Sequence, residues 1–155
     1  MQQQPRSRAC FMCGRDNPVG LKMRWFNDTE GGRVRGTVEV PAHFNGYPGV
    51  VHGGIVSAIL DETSGRALML EGDFESLFMT VSLTVRFHRP TPTGTPLAAS
   101  GWVVRKTGRR AQVAAEIALP DGSVSATAEA VVVRPPSDVW TRWEKEREHW
   151  HVDSE

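Results

Sequence analysis

The segment from Asn45 to Glu62, NGYPGVVHGGIVSAILDE, sets a His-Gly-Gly turn directly ahead of an apolar run that carries two acids. If a helix begins at Gly54, the backbone N–H groups of Gly53 and Gly54 stand unpaired at its positive end, where they can hold the oxygen of a polarised carbonyl. Along such a helix Gly54, Ser57, Asp61, Ser64 and Gly65 share one face at steps of three and four. That face is small and nearly featureless apart from one carboxylate. Ile55, Val56, Ile59 and Leu60 supply the apolar flank, and Glu62 can pair with Arg66 four residues on. Glu62 therefore reads as a surface residue and Asp61 as an inward one. A carboxylate in that place can be satisfied by a neighbouring strand's hydroxyl or backbone. Beside the two glycines it can also act as a base or nucleophile on a bound carbonyl compound.

Other groups could join it. Histidine is a common general base, yet the place of His52 at the helix entrance favours orienting the loop backbone over proton transfer. Asn45, on the preceding loop, can supply a second hydrogen bond to a carbonyl or a water. Cys10 and Cys13 form the only CxxC, in CFMCG. A second pair that would complete a zinc site is missing, and Gly14, Asn17, Pro18 and Gly20 follow where a thioredoxin-like motif would enter a helix. No metal is expected, and neither a GxxxxGK[ST] phosphate loop nor a GxSxG elbow occurs.

At 155 residues the chain is long enough for one sizeable core, and 18 basic against 18 acidic side chains leave no overall field for nucleic acid or a membrane surface. No apolar run approaches a membrane span, so a cytoplasmic protein is the expectation. Strands are predicted over Leu21–Asn27, Arg33–Val40, Leu77–His88, Pro96–Lys106, Arg110–Leu119 and Ser123–Arg134, with the helix running from Gly54 to about Leu70 and ending near Gly72. Pro41 to Val51 reads as a Gly/Pro-rich loop. The fold class is thus α+β, an antiparallel sheet of five to six strands with one long helix to cover it. Residues 1–20 form a lead-in, 21–134 the domain, and 135–155 a tail. From Ser137 or Asp138 that tail reads as a helix whose Trp140, Trp143, Arg147 and Trp150 make a stripe suited to docking on the domain or a neighbouring subunit.

His52-Gly53-Gly54, an acid nine residues after the histidine, an Asn on the loop before it and a Pro-ended strand after it resemble the acyl-CoA thioesterases of the hotdog superfamily, in the branch of the phenylacetic-acid-pathway enzymes. The CxxCG-x-x-NPxGL opening is similar too. The resemblance covers roughly Cys10 to Val133 and implies a sheet wrapped around the Asp61 helix. It also implies a homo-oligomer, a dimer or dimer of dimers, with the active site at the subunit junction and no cofactor. Carried over, it places the Gly53 amide on the thioester oxygen, with Gly54 beside it, and makes Asp61 of the partner copy the base or nucleophile. It gives His52 a supporting role and puts the Thr80 hydroxyl beside the water. Asn45 departs from the pattern, since Gly46-Tyr47-Pro48-Gly49 lengthens its loop by one residue.

The turn Arg105-Lys106-Thr107-Gly108-Arg109-Arg110 packs four cations into six residues, which suits the pyrophosphate and 3′-phosphate of coenzyme A. Arg86, His88 and Arg89 make a second basic group that strand alternation should split. The alternative to hydrolysis is a hotdog protein that binds acyl-CoA or a lipid-like ligand without turnover.

Overall fold

The computed structural model describes residues 1–70 and 73–154. The alternation in Arg33–Glu39 is met directly: Val34, Gly36 and Val38 turn inward while Arg35, Thr37 and Glu39 face solvent. This strand, β3, pairs with β2 (Arg24–Asp28), and the later strands β5 (Pro96–Thr107), β6 (Arg110–Ala118) and β7 (Val124–Val133) follow as antiparallel neighbours. β4 (Met79–Phe87) pairs with β7, and β1 (Gln2–Gln3) adds to the outer side of β2. One seven-stranded sheet results, in the order β1-β2-β3-β5-β6-β7-β4. The seventh strand is the short β1, which composition could not reveal because two glutamines carry no strand signal.

Helix α1 (Gly53–Arg66) lies across the sheet from β3 to β4 and turns Val56, Ile59 and Leu60 into a core with Trp25, Leu97 and Ile117. This is the hotdog arrangement. The approach is close: a Cβ on Gly101 of β5 would stand 2.4 Å from the Thr63 carbonyl oxygen. Beside it the Trp25 indole N–H donates to Thr63 Oγ1 at 3.1 Å, satisfying two fully buried polar groups with one bond.

The boundaries depart from the sequence reading in instructive places. α1 starts at Gly53 and continues as 3-10 turns over Ala67–Met69; an end near Gly72 lies outside the described residues. β2 starts three residues later than predicted because Lys22 takes a positive φ of 53° and Met23 N–H bonds the Met12 carbonyl of the lead-in. The C-terminal helix α2 covers only Ser137–Glu144, with Pro136 at its entrance and no side-chain cap. After a 3-10 turn at Arg147–His149, the chain extends and bonds Arg6 to the His151 carbonyl. The aromatic stripe docks on its own domain: Trp140 and Trp150 pack against Phe74, with ring centres 5.5 and 6.1 Å away. Lead-in and tail are clasped by the ion pairs Arg6–Asp153 at 2.7 Å and Arg8–Glu146 at 2.9 Å. Among the described residues, no helix is long and apolar enough to cross a membrane.

The Gly101 contact carries a prediction. Gly101→Ala should cost about 1–3 kcal/mol, the usual range for overpacking, because a backbone oxygen cannot rotate away. Denaturant melts of parent and variant measure this; an unchanged midpoint would mean that helix and sheet are not packed this closely.

Candidate active site

α1 carries the candidate groups near its two ends. At the first, the His52 imidazole Nδ1 accepts the Gly54 N–H at 2.9 Å, acting as the helix N-cap, while the His52 carbonyl accepts from Ile55 and Val56. The expected pair of free amides is therefore reduced to one. Gly54 is occupied by the histidine, and the Gly53 N–H finds no acceptor among the described residues. It opens into a cleft of about 780 Å³ lined by Tyr47, Val50, Phe87, His88 and Arg89. Phe87 closes over the glycine so that a Cβ on Gly53 would touch its ring at 3.4 Å. Asn45 stands on the exposed loop beside this end, bridged to Val51, with its backbone N–H on the Ala42 carbonyl.

The second end holds the acid. Asp61 is half-buried, and its Oδ1 accepts the Thr80 hydroxyl at 2.7 Å. Burial pushes the Asp61 carboxyl above its ordinary value, the Thr80 bond pulls it back, and the neighbouring Glu62 charge adds to the rise. The pocket here is about 190 Å³, with Met69, Leu77, Phe78 and Trp150 around the Asp61–Thr80 pair. Sequence reasoning did not bring Phe78 or Trp150 to this pocket, since their distance from Asp61 is set only by the fold. Ser64, expected on the same open face as Asp61, is fully buried and bonds the Asp61 carbonyl.

Glu62 corrects the sequence reading. It does pair with Arg66, at 2.9 Å, but this pair faces inward: the Arg66 side chain is 2% exposed and sits against Cys13 and the lead-in. A surface assignment failed because the partner that covers it lies fifty residues away in sequence.

The β5–β6 hairpin brings Arg105, Lys106, Arg109 and Arg110 together on an exposed tip, turning at Gly108 with a φ of +55° that suits glycine. Lys106 Nζ lies 5.6 Å from the Phe78 ring centre, and Arg134, whose N–H bonds the Arg109 carbonyl, lies 5.4 Å from the same ring. The basic tip thus borders the Asp61 pocket, and Arg134 belongs to it. Arg134 is visible as a member only once the β6–β7 register is known. Arg86 lines a different pocket from His88 and Arg89, which lie past the end of β4 at Phe87, so the basic group is split where the strand ends.

The raised Asp61 pKa fixes a sign. A group whose folded pKa exceeds its unfolded one favours the folded state below the unfolded value and loses that favour as pH rises through the folded one. The melting temperature of the parent, relative to Asp61→Asn, should therefore rise as pH falls through the carboxylate range, and the variant should be no less stable at neutral pH. Parallel melts at several pH values decide it; a gap moving the other way would contradict the burial of this carboxylate.

Known proteins share this arrangement of sheet and helix. A sequence profile of the thioesterase superfamily matches residues 48–126, just over half the chain and inclusive of both helix ends. The chain is 31% identical over 75 residues to acyl-coenzyme A thioesterase THEM4 of Mus musculus; the match takes in 48% of this chain and 31% of the mouse protein, so the chain spans about a third of the curated relative's length. A thioesterase superfamily protein of known crystal structure superposes at a TM-score of 0.74 with 33% identity, over 81% of this chain and 63% of that one. A phenylacetic acid degradation-related protein of Ralstonia eutropha JMP134 superposes at 0.64 with 24% identity, over 73% and 85%, and shares the fold. With its profile match running from the loop before His52 through Asp61 and Thr80 into β7, the chain belongs to the thioesterase superfamily.

Proposed function

We propose that this protein hydrolyses acyl-CoA thioesters to a carboxylic acid and coenzyme A, in sites that two copies of the chain build together. The observation that carries the reading is the placement of the two working groups. Gly53 and Asp61 are eight residues apart on one helix, about 12 Å at the usual rise of 1.5 Å per residue. One thioester carbonyl needs an oxygen-holding donor and an attacking water or carboxylate within about 3 Å of its atoms, so the two groups of one helix do not serve one substrate.

β4 supplies the remedy. It runs alongside α1 with Thr80 at the Asp61 end and Phe87 at the Gly53 end. Among the described residues it pairs only with β7, leaving its outer edge open, and it exposes Val81 and Phe87. An open edge with exposed apolar side chains is a site for pairing. Two copies joined antiparallel along β4 about a two-fold axis set the Gly53 end of one beside the Asp61 end of the other. Each junction then holds one amide and one carboxylate.

In that site the thioester oxygen accepts the Gly53 N–H, and Asp61 takes a proton from the attacking water or attacks the carbonyl carbon itself. Thr80 fixes Oδ1 and leaves Oδ2 for the reaction. His52, by engaging Gly54, holds the helix start so that the neighbouring amide is aimed. Asn45, on the loop beside it, offers a second hydrogen bond to the oxygen. The thiolate leaves without needing a strong acid. Arg105, Lys106, Arg109, Arg110 and Arg134 receive the phosphates of coenzyme A next to the Asp61 pocket. The name of the mouse relative, an acyl-coenzyme A thioesterase, supports this substrate class.

A panel of acyl-CoA esters, with the released thiol detected, tests the reading. Asp61→Asn should lower kcat by about 10²-fold or more, with ligand binding kept. Gly53→Pro removes the amide hydrogen at a position where proline suits the first helical residue and His52 is already extended, the proline ring meeting the Phe87 side chain at contact distance; it should cost about 10²–10³-fold. Binding of several acyl-CoA esters by a parent protein that cleaves none would establish the non-catalytic alternative.

Neutral replacements at Arg105, Lys106, Arg109 and Arg110 should raise KM for acyl-CoA far more than for a short thioester without the nucleotide, and flatten its salt dependence. Equal effects on both substrates would reject the phosphate contact. Light scattering should show a dimer or larger at micromolar concentration; a fully active monomer would reject the shared site.

A further inference from the structure

The mechanism leaves a second polar cluster unused, where the Glu62–Arg66 pair of α1 meets the lead-in. The turn Cys10-Phe11-Met12-Cys13 is tight: the Gly14 N–H reaches the Cys10 carbonyl at 2.7 Å, and a Cβ on Gly14 would stand 2.4 Å from that oxygen. Both cysteines are free thiols, Cys13 fully buried and Cys10 partly open to solvent. Arg66 Nη2 donates to Cys13 Sγ at 3.1 Å while its Nε holds Glu62 at 2.9 Å. The same guanidinium donates to the Pro5 carbonyl at 2.6 Å and lies over the rings of Trp25 and Trp150 at 4.6 and 5.0 Å. It therefore ties the lead-in, β2, α1 and the tail to one point.

Cys10 Sγ, Cys13 Sγ and a Glu62 oxygen lie within 4.8 Å of one another. A metal ion there would have to share the space with a buried guanidinium, which already supplies the positive charge that a thiolate and a carboxylate need. The hydrogen bond from Cys10 and the nearby Arg66 charge hold the Cys13 thiol down to about 6 against its burial, and the same bond pushes Cys10 up. A buried thiolate beside a partly exposed thiol in a four-residue turn is a thiol–disulfide exchange centre by its chemistry.

We propose that Cys10 and Cys13 are a redox-active pair, oxidised by low-molecular-weight disulfides, whose oxidation takes the Cys13 sulfur from Arg66 and loosens its hold on the C-terminal half of α1. Cys10 passes its proton to Cys13 and attacks the disulfide RSSR, forming Cys10–S–SR and releasing RS⁻. That thiolate takes the proton from Cys13 and leaves as RSH. Cys13 then attacks Cys10 Sγ, closing the protein disulfide and expelling the second RS⁻. The two cysteine sulfurs lose two electrons, and RSSR gains them. A disulfide across so short a loop constrains the unfolded chain little, while a buried guanidinium loses one of its two anionic partners. Oxidation should destabilise this protein, opposite to the usual effect of a disulfide.

The test uses the full chain equilibrated in glutathione redox buffers, then quenched by alkylation and weighed by mass spectrometry. The expected product under oxidising conditions is a Cys10–Cys13 disulfide without bound glutathione, reversed by reduced glutathione, with a melting temperature below that of the dithiol form. Cys13→Ser removes both the proton acceptor and the resolving thiol, so the reaction should slow and stop at a glutathione adduct on Cys10. Thiols that stay alkylatable throughout the series, an oxidised form melting at or above the reduced one, or a stoichiometric zinc ion that shields both thiols would each overturn the proposal.

Discussion

An α-helix is a rigid ruler, and two groups eight residues apart on it cannot close on one carbonyl. The unpaired Gly53 amide and the half-buried Asp61 carboxylate are held at that separation by packing that leaves little freedom. Thr63 lies against Gly101 on the sheet, Trp25 bonds Thr63 Oγ1, and the strand that runs beside the helix fixes the same two ends through Phe87 and Thr80. On the proposed reading, the open edge of β4 is the place where the chemistry is completed. Catalysis and subunit pairing are then one constraint seen from two sides.

The two ends of the helix are also built differently. The amide end is organised by a short local device: a histidine ring caps one glycine N–H and leaves its neighbour free. The acid end depends on long-range packing. The Asp61 carboxylate is disfavoured by burial and held by one hydroxyl, while the adjacent Glu62 and Arg66 are gathered by residues from the lead-in and the tail. A charged group kept partly dry is costly to folding, and Arg66, tied to both termini, packs close by. Trp150 belongs to both, since it lies over Arg66 and lines the Asp61 pocket.

What was legible in the sequence was the part that local rules control. The strands announced themselves by alternation, as in Val34, Gly36 and Val38, and the turns by glycine, as at Gly108; the helix and its two candidate groups followed from spacing. The Asp61–Thr80 bond joins two residues already singled out on separate elements. The rest was hidden for identifiable reasons. Glu62 looked outward because its cover, the lead-in, is distant in sequence. Gly54 looked free because the rotamer of His52 decides which amide is taken. Arg134 and Phe78 join the basic tip through strand register, and α2 stops early because the tail is pulled into contact with Arg6, none of which periodicity encodes.

The central claim, that each site takes its amide from one copy and its carboxylate from another, is tested most directly by mixing two inactive proteins. Gly53→Pro subunits keep Asp61, and Asp61→Asn subunits keep the amide. Exchanged at equal amounts, half of the dimers are mixed, and each mixed dimer carries one intact and one doubly disabled site, so about a quarter of the parent acyl-CoA hydrolysis should return. If amide and carboxylate served the same substrate within one chain, every site would still lack one of them. Activity that stays at the level of the separate variants, with subunit exchange verified, would contradict the shared site.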